Sequence, residues 1–207
     1  MAKTVVKKEI PSKYLEQDYV VTHLNIGMRP KTGDCKMLTR NSKFYGIEKY
    51  LYLLDDDEDD IHILTVYATQ VFLDRVGISL NDAWDLAECN VVNNTYVNGI
   101  ESFLNIPFEN ELPLFVVTNK VKFWGASSIL NAEELKAIAV TNDTDELICL
   151  PSSIHEFIVI PNMEDIADIS GFTDMVKEVN ESQVPVNEQL SNMAYLYNVE
   201  SEEVTEI

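Results

Sequence analysis

A serine pair, a histidine and a glutamate occur together in the segment Pro151-Ser152-Ser153-Ile154-His155-Glu156, and Cys149 precedes it. A hydroxyl or thiol nucleophile needs an adjacent base, and the base needs an acid that orients it. These residue types could therefore support a hydrolase that uses Ser153 or Cys149 as nucleophile and His155 as base.

The surroundings of the same residues favour a structural turn. If the segment continues as a strand, Ser153 and His155 lie on one side of it and Glu156 on the other. Serine is common in turns, and the segment lacks the Gly-x-Ser-x-Gly pattern of a nucleophile elbow. Cys149 lies in an apolar run, where burial raises the pKa of a thiol and makes it less reactive. We therefore expect a core cysteine and a turn with a hydrogen-bonded His155, and the hydrolase is the alternative.

An uninterrupted acidic run separates two apolar segments and is the candidate binding site. Its members are Asp55, Asp56, Asp57, Glu58, Asp59 and Asp60. An EF-hand that began at Asp55 would need a glycine at position 60 and a glutamate at position 66, where Asp60 and Val66 stand. No Cys-x-x-Cys or His-x-x-x-His spacing occurs. We expect an exposed hairpin loop that discourages edge pairing, with no metal and no cofactor.

Charge is unevenly distributed along the chain of 207 residues, whose formal net charge is -20. Residues 1–49 contain ten of the fifteen Lys and Arg and five acids, whereas residues 50–207 contain five basic and thirty acidic residues. Such an acidic body repels phosphates, so direct binding of DNA or RNA is disfavoured. It suits a basic protein partner instead, and it also fits a merely solvated surface.

The elements that would position these residues are most regular between residues 112 and 162. Short apolar runs predict strands at 114–117, 147–150 and 154–160, and small residues at 125–128 predict close backbone packing. Helices are predicted at 68–76, 80–92, 132–140 and 171–181, with capping residues Ser79 and Asn131. In the last helix, Phe172, Met175, Val176 and Val179 form the apolar side. The fold class is α+β, with an antiparallel or mixed sheet of five to seven strands and about four helices packed mainly on one face.

The N-terminal part is predicted to be a basic arm or hairpin over residues 1–43, with strands at 3–10 and 19–28. An acidic α+β domain follows over residues 44–207. It begins with a hairpin of 44–54 and 61–66, and it ends with a strand at 193–197 and a frayed acidic tail. Residues 93–110 are predicted to be a long connection with a short helix at 100–104.

Cellular context follows from simple features. No apolar run approaches the roughly 18 residues that span a bilayer, and no signal peptide is recognisable. Three cysteines far apart, Cys35, Cys89 and Cys149, argue against a disulfide framework and favour a reducing cytosol. We expect a cytoplasmic protein without membrane association, and the sequence leaves its oligomeric state open.

From residue 44 onward, the order of motifs resembles an uncharacterised bacterial family, the domain of unknown function numbered fifty-six eighty-eight. The most specific segment is Leu150-Pro151-Ser152-Ser153-Ile154-His155-Glu156. Further matching segments are Arg75-Val76-Gly77-Ile78, Val117-Thr118-Asn119, Gly125-Ala126-Ser127 and Met175-Val176-Lys177-Glu178-Val179-Asn180. The resemblance covers roughly residues 44–200, and it implies no activity, cofactor or catalytic residue.

These observations lead to one expected function and one alternative. The expected function is a non-enzymatic cytosolic interaction module that acts through its acidic surface, in one version as an inhibitor that mimics the charge of nucleic acid. The alternative is the hydrolase with Ser153 or Cys149 and His155.

Overall fold

A computed structural model describes residues 12–33, 37–55, 64–104, 112–163, 166 and 168–207 of the chain. In these residues the α-helices are α1 (Gln17–His23), α2 (Gln70–Val76), α3 (Leu80–Asn94), α4 (Ile100–Leu104), α5 (Ala132–Thr141) and α6 (Gly171–Ser182). The strands are β1 (Leu24–Pro30), β2 (Thr39–Asn41), β3 (Ile47–Asp55), β4 (Leu64–Tyr67), β5 (Thr95–Gly99), β6 (Phe115–Asn119), β7 (Glu146–Pro151), β8 (Phe157–Pro161), β9 (Tyr195–Asn198) and β10 (Val204–Glu206). Two 3-10 helices, Ser12–Leu15 and Gly125–Leu130, complete the set.

The strands form two antiparallel sheets, so the predicted α+β class is confirmed. In the first sheet, β3 pairs with β1 along one edge and with β2 and β4 along the other. The second sheet has six strands in the order β10-β9-β7-β8-β6-β5. One sheet was expected from the sequence, whereas the N-terminal strands form a sheet of their own around β3.

Local signals in the sequence set the helix ends. The Ser79 hydroxyl accepts a hydrogen bond from the backbone N–H of Asp82, and the Asn131 side chain accepts one from that of Glu134. Gly77 ends α2 in the left-handed conformation, with φ of 74°. All four predicted helices are confirmed to within about two residues, because these caps act within one turn.

Helices cover both faces of the second sheet, not mainly one. Leu147 and Cys149 of β7 pack in the same cluster as α5, whereas Ile148 and Leu150 pack in the cluster that contains Val176 of α6. Alternate residues of a strand point to opposite faces. A strand that is apolar at successive positions therefore needs cover on both sides.

The predicted N-terminal hairpin requires a correction. Residues 19–23 belong to α1, and the strand begins only at Leu24; residues 3–10 lie outside the described part. Tyr19 and His23 stack one helical turn apart, with ring centroids at 3.8 Å, and Val20 is fully buried. Valine pairs alone indicated a strand here, and packing of the helix against α3 overrides that preference.

The predicted boundary near residue 43 falls inside the first sheet. All seven residues of β1, from Leu24 to Pro30, pair with β3. The described part of the basic arm thus shares a sheet with the segment assigned to the acidic domain. The predicted hairpin is confirmed as the pairing of β3 with β4, and its loop, residues 56–63, lies outside the described part.

Three strands were not predicted: β2, β5 and β10. The connection at residues 93–110 contains β5, which pairs with β6, and α4 follows as expected. The tail expected to fray contains β10, which pairs with β9. The Ile207 carbonyl also accepts a hydrogen bond from the Thr173 hydroxyl at 2.6 Å. Backbone pairing orders both segments although their side chains are largely polar.

No helix in the part of the chain that the structure describes is long and apolar enough to cross a membrane.

Candidate functional site

Residues 152–156 connect β7 to β8 as a tight turn, not as a continued strand. The Ser153 hydroxyl donates to Oε1 of Glu156 at 2.8 Å and accepts from the backbone N–H of His155 at 3.0 Å. The backbone N–H of Ser153 donates to the Glu156 carbonyl at 3.3 Å. The expected placement of Glu156 on the opposite side from Ser153 is wrong, because the turn folds the two together. Both bonds of the hydroxyl therefore stay within the turn.

The imidazole of His155 contacts a different segment. Its Nδ1 accepts a hydrogen bond from the backbone N–H of Trp124 at 3.0 Å, and its Nε2 lies 3.9 Å from Oε2 of Glu188. A neutral imidazole that accepts at Nδ1 carries its hydrogen on Nε2. Within the described residues, no hydrogen bond joins this ring to the Ser153 hydroxyl. The hydrolase alternative therefore lacks a nucleophile–base contact in this structure.

The turn packs tightly against the segment that contains Gly125. The Thr118 hydroxyl donates to the His155 carbonyl at 2.8 Å, and the backbone N–H of Ala126 donates to the Ile154 carbonyl at 3.3 Å. A Cβ atom at Gly125 would lie 2.5 Å from the backbone nitrogen of Asn119 and 2.9 Å from the His155 carbonyl oxygen. These distances leave no room for a side chain, so the expected close packing is confirmed.

Cys149 is a core residue of β7, as expected. It is fully buried, and its thiol lies 3.9 Å from the Leu147 carbonyl oxygen. Burial raises the pKa of this thiol to about 12, and the nearby positive charge of Lys43 offsets only part of that rise. The thiol is therefore protonated at neutral pH, and a protonated thiol is a poor nucleophile.

The acidic run at residues 55–60 was the predicted binding segment. Asp55 is the last residue of β3, its side chain is not described, and residues 56–60 lie outside the described part. Among the described residues, no group of three or more His, Cys, Asp or Glu side chains could hold a metal ion.

A second candidate surface lies on the outer side of α6. Its exposed acids are Asp174, Glu178 and Glu181, which recur at helical spacing. Between them Met175 and Val179 are 51% and 41% exposed. We call these five residues the α6 face. Met175 and Val179 were expected on the buried side of the helix, but Thr173, Val176 and Asn180 form its inner side.

A small apolar groove of about 80 Å³ runs beside the α6 face. Leu150 and Pro151 of β7 and Ile158 of β8 line one side, and Met175 and Val179 line the other. This volume suits one apolar side chain. Pro151 leads directly into the turn. The hydrogen bonds of Ser153 and His155 therefore help to fix the side of the groove that Pro151 lines.

A model of the family of unknown function DUF5688 matches residues 50–199, well over half of the chain. The chain belongs to this family. No curated protein and no solved structure matches the chain.

The DUF5688 match contains the turn, Trp124, α6 and the groove. It begins within β3, so β1 and β2 of the first sheet precede it, and β10 follows it. In this DUF5688 chain, strands outside the matched residues thus complete both sheets.

Two features of the site could not be predicted from the sequence pattern. The contact between His155 and Trp124 joins residues 31 positions apart, and no local pattern indicates it. The exposure of Met175, in contrast, has a weak indication in the sequence. Phe172 and Val176 are one turn apart and face inward, which leaves Met175 on the flank of the helix.

Proposed function

We propose that this protein is a non-enzymatic cytosolic interaction module, and that its α6 face binds a basic, partly apolar segment of a partner protein. The observation that carries the proposal is the combination of three exposed acids with two exposed apolar side chains beside a groove. A surface that only contacts solvent would be explained by the exposed acids, but it would not explain the exposed apolar side chains.

The chemistry of the α6 face defines the partner. Lys177 lies 3.3 Å from Asp174, which leaves Glu178 and Glu181 without a basic partner among the described residues. A Lys or Arg of the partner would pair with these carboxylates, while one apolar side chain enters the groove beside Met175 and Val179. The net charge of -20 adds long-range attraction for a basic surface.

Nucleic-acid-binding proteins present such basic surfaces, so inhibition by charge mimicry is one form of this function. In that form the protein competes with DNA or RNA for its partner. The hydrolase alternative gains no support from the hydrogen bonds of Ser153, because its hydroxyl donates to Glu156.

The test is quantitative capture from host lysate by matched variants. The first variant neutralises the α6 acids (Asp174→Asn, Glu178→Gln, Glu181→Gln), and the second removes the apolar contacts (Met175→Gln, Val179→Ser). A control variant neutralises three exposed acids elsewhere (Asp85→Asn, Glu101→Gln, Glu203→Gln). All captures are eluted with increasing salt and measured by mass spectrometry.

We expect a set of host proteins that the wild type and the control variant capture and that both α6 variants fail to capture. These proteins should elute from the wild type only at high salt. Equal loss from the control and the first variant would mean unspecific charge attraction and would overturn the proposal. So would retention by both α6 variants. If the retained proteins are displaced by added duplex DNA, the mimicry form is supported.

A further inference from the structure

A cavity of about 550 Å³ lies between α3, the first sheet and the second 3-10 helix. Its apolar walls are Ile26 of β1, Val91 and Val92 of α3, and Leu130. Leu130 packs against the core clusters of both sheets, so the cavity lies where the two sheets meet. Its volume falls in the range of about 300–1,000 Å³ that is typical of sites for small molecules.

Two lysines lie in the lining of this cavity, and both are mostly buried. Their side chains are 15% exposed at Lys49 and 26% exposed at Lys43. The Lys49 ammonium is 3.3 Å from Oε1 of Glu88 and 5.7 Å from the centre of the Trp84 ring. Lys49 thus has one charged partner, which is itself half exposed.

Lys43 has weaker partners. Its ammonium lies 4.2 Å from the centre of the Tyr197 ring and 4.0 Å from Oε2 of Glu202, which is beyond hydrogen-bond distance. Among the described residues it makes no hydrogen bond. Burial lowers the pKa of Lys43, the charge of Glu202 offsets this in part, and the charge of Lys49 lowers it further. The Lys43 ammonium thus has no hydrogen-bonded partner among the described residues, and a bound anion would supply one.

The charge of the lining contrasts with that of the protein. Its described residues include two lysines and one glutamate, although acids outnumber basic residues by thirty-five to fifteen in the chain. The other lining residues are apolar or uncharged, apart from the thiol of Cys89. The lining therefore combines apolar side chains with a net positive charge.

We propose that this cavity binds a small organic acid, whose anionic group pairs with Lys43 and Lys49 and whose apolar body packs against Ile26, Val91 and Leu130. The site is separate from the α6 face and does not depend on the proposed function. Both lysines precede residue 50, where the family match begins, whereas α3 lies inside it.

A fluorescent pair of probes tests the proposal. The first probe is 8-anilinonaphthalene-1-sulfonate, and the second is N-phenyl-1-naphthylamine, which has the same aromatic body without the sulfonate. The variants are Lys43→Gln and Lys49→Gln, with Lys177→Gln on α6 as the control lysine. Val92→Trp should fill the cavity, and because Val92 is 47% exposed we expect little loss of stability.

We expect each cavity lysine variant to weaken binding of the sulfonate by about tenfold, the usual effect of losing one charged partner. Binding of the uncharged probe should change little in these variants, and Val92→Trp should abolish binding of both probes. In a Cys35→Ser background, the sulfonate should also slow the alkylation of Cys89, which lines the cavity.

Three results would overturn the proposal. The first is sulfonate binding that is equal in wild type, Lys43→Gln and Lys49→Gln. The second is binding that survives Val92→Trp, since the probe would then occupy another apolar surface such as the groove beside α6. The third is alkylation of Cys89 at an unchanged rate when the sulfonate is saturating.

Discussion

His155 and Trp124 are joined by a hydrogen bond of 3.0 Å from the backbone N–H of Trp124 to the imidazole Nδ1. Trp124 has a φ of 51°, which is uncommon for a residue other than glycine. The imidazole thus stabilises an unfavourable backbone conformation and ties the 3-10 helix segment to the turn after β7. This is a structural use of a histidine whose neighbours in sequence suggest catalysis.

Replacing His155 by alanine should lower the free energy of unfolding by about 1–2 kcal/mol, because the partly buried N–H of Trp124 loses its acceptor. Urea denaturation measures this change. Glu188→Gln is the control, since it removes the charge 3.9 Å from Nε2 and leaves the bond to Trp124 intact. Its expected effect is below about 0.5 kcal/mol. An equal effect of both variants would contradict this role of His155.

The two serines of the turn should differ in their effect on stability. Ser153→Ala removes the bonds to Glu156 and His155 and should cost about 1–2 kcal/mol. Ser152, whose side chain makes no hydrogen bond within the described residues, should tolerate alanine at a cost below about 0.5 kcal/mol. Thermal unfolding of Ser153→Ala and Ser152→Ala, each compared with wild type, measures the two changes in stability. If Ser153→Ala instead abolished a hydrolytic activity and kept full stability, the hydrolase alternative would be favoured.

A methyl group at Gly125 should be severely destabilising. The new Cβ would overlap the backbone of Asn119 and the His155 carbonyl, and backbone atoms of a sheet cannot move aside cheaply. We expect Gly125→Ala to cost about 3 kcal/mol or more, or to prevent folding. Gly99→Ala is the matched control, because nothing lies within 4 Å of a Cβ there. Soluble yield shows whether each variant folds, and the denaturation midpoint measures the loss of stability in a variant that does.

The two described cysteines should differ in reactivity. In a Cys35→Ser background at pH 8, a disulfide reagent should modify one thiol of the native protein, the exposed Cys89, and a second only after denaturation. Buried Cys149 is protected by lack of access and by its raised pKa. Modification of two thiols in the native protein would show that the core around β7 opens.

Cys149 also makes stability depend on pH in the alkaline range. Its pKa is about 12 in the folded protein and 9.0 without the fold, so folding favours the protonated thiol. That contribution is complete below pH 9 and is lost as the pH rises from 9 to 12. We expect wild type to lose more stability over this range than Cys149→Ala does. Denaturation at several pH values measures the free energy of unfolding of both proteins. An equal decrease in wild type and Cys149→Ala would argue against this effect.

Features that act within one helical turn could be predicted from the sequence. Ser79, Asn131 and Gly77 set helix ends, because their effect on the backbone depends on neighbours three or four residues away. The apolar runs at β6, β7 and β8 identified the central strands, and the fold class followed from them. The same local reasoning recognised Cys149 as a core residue and a turn at Ser152-Ser153, but it began the next strand at residue 154, whereas β8 begins at Phe157.

Contacts between distant segments were decided by the tertiary structure alone. The strands β5 and β10 form because β6 and β9 offer unpaired backbone groups. Strand-favouring residues such as Thr95-Tyr96-Val97 are too few to indicate a strand by themselves. Lys43, Lys49 and α3 meet at one cavity only because β1 and β3 pair beneath the helix. The sequence by itself determined the net charge, the local helices and the turn. The fold decided which acids flank an apolar groove and which lysines line a cavity, because these arrangements depend on residues that are far apart in the chain.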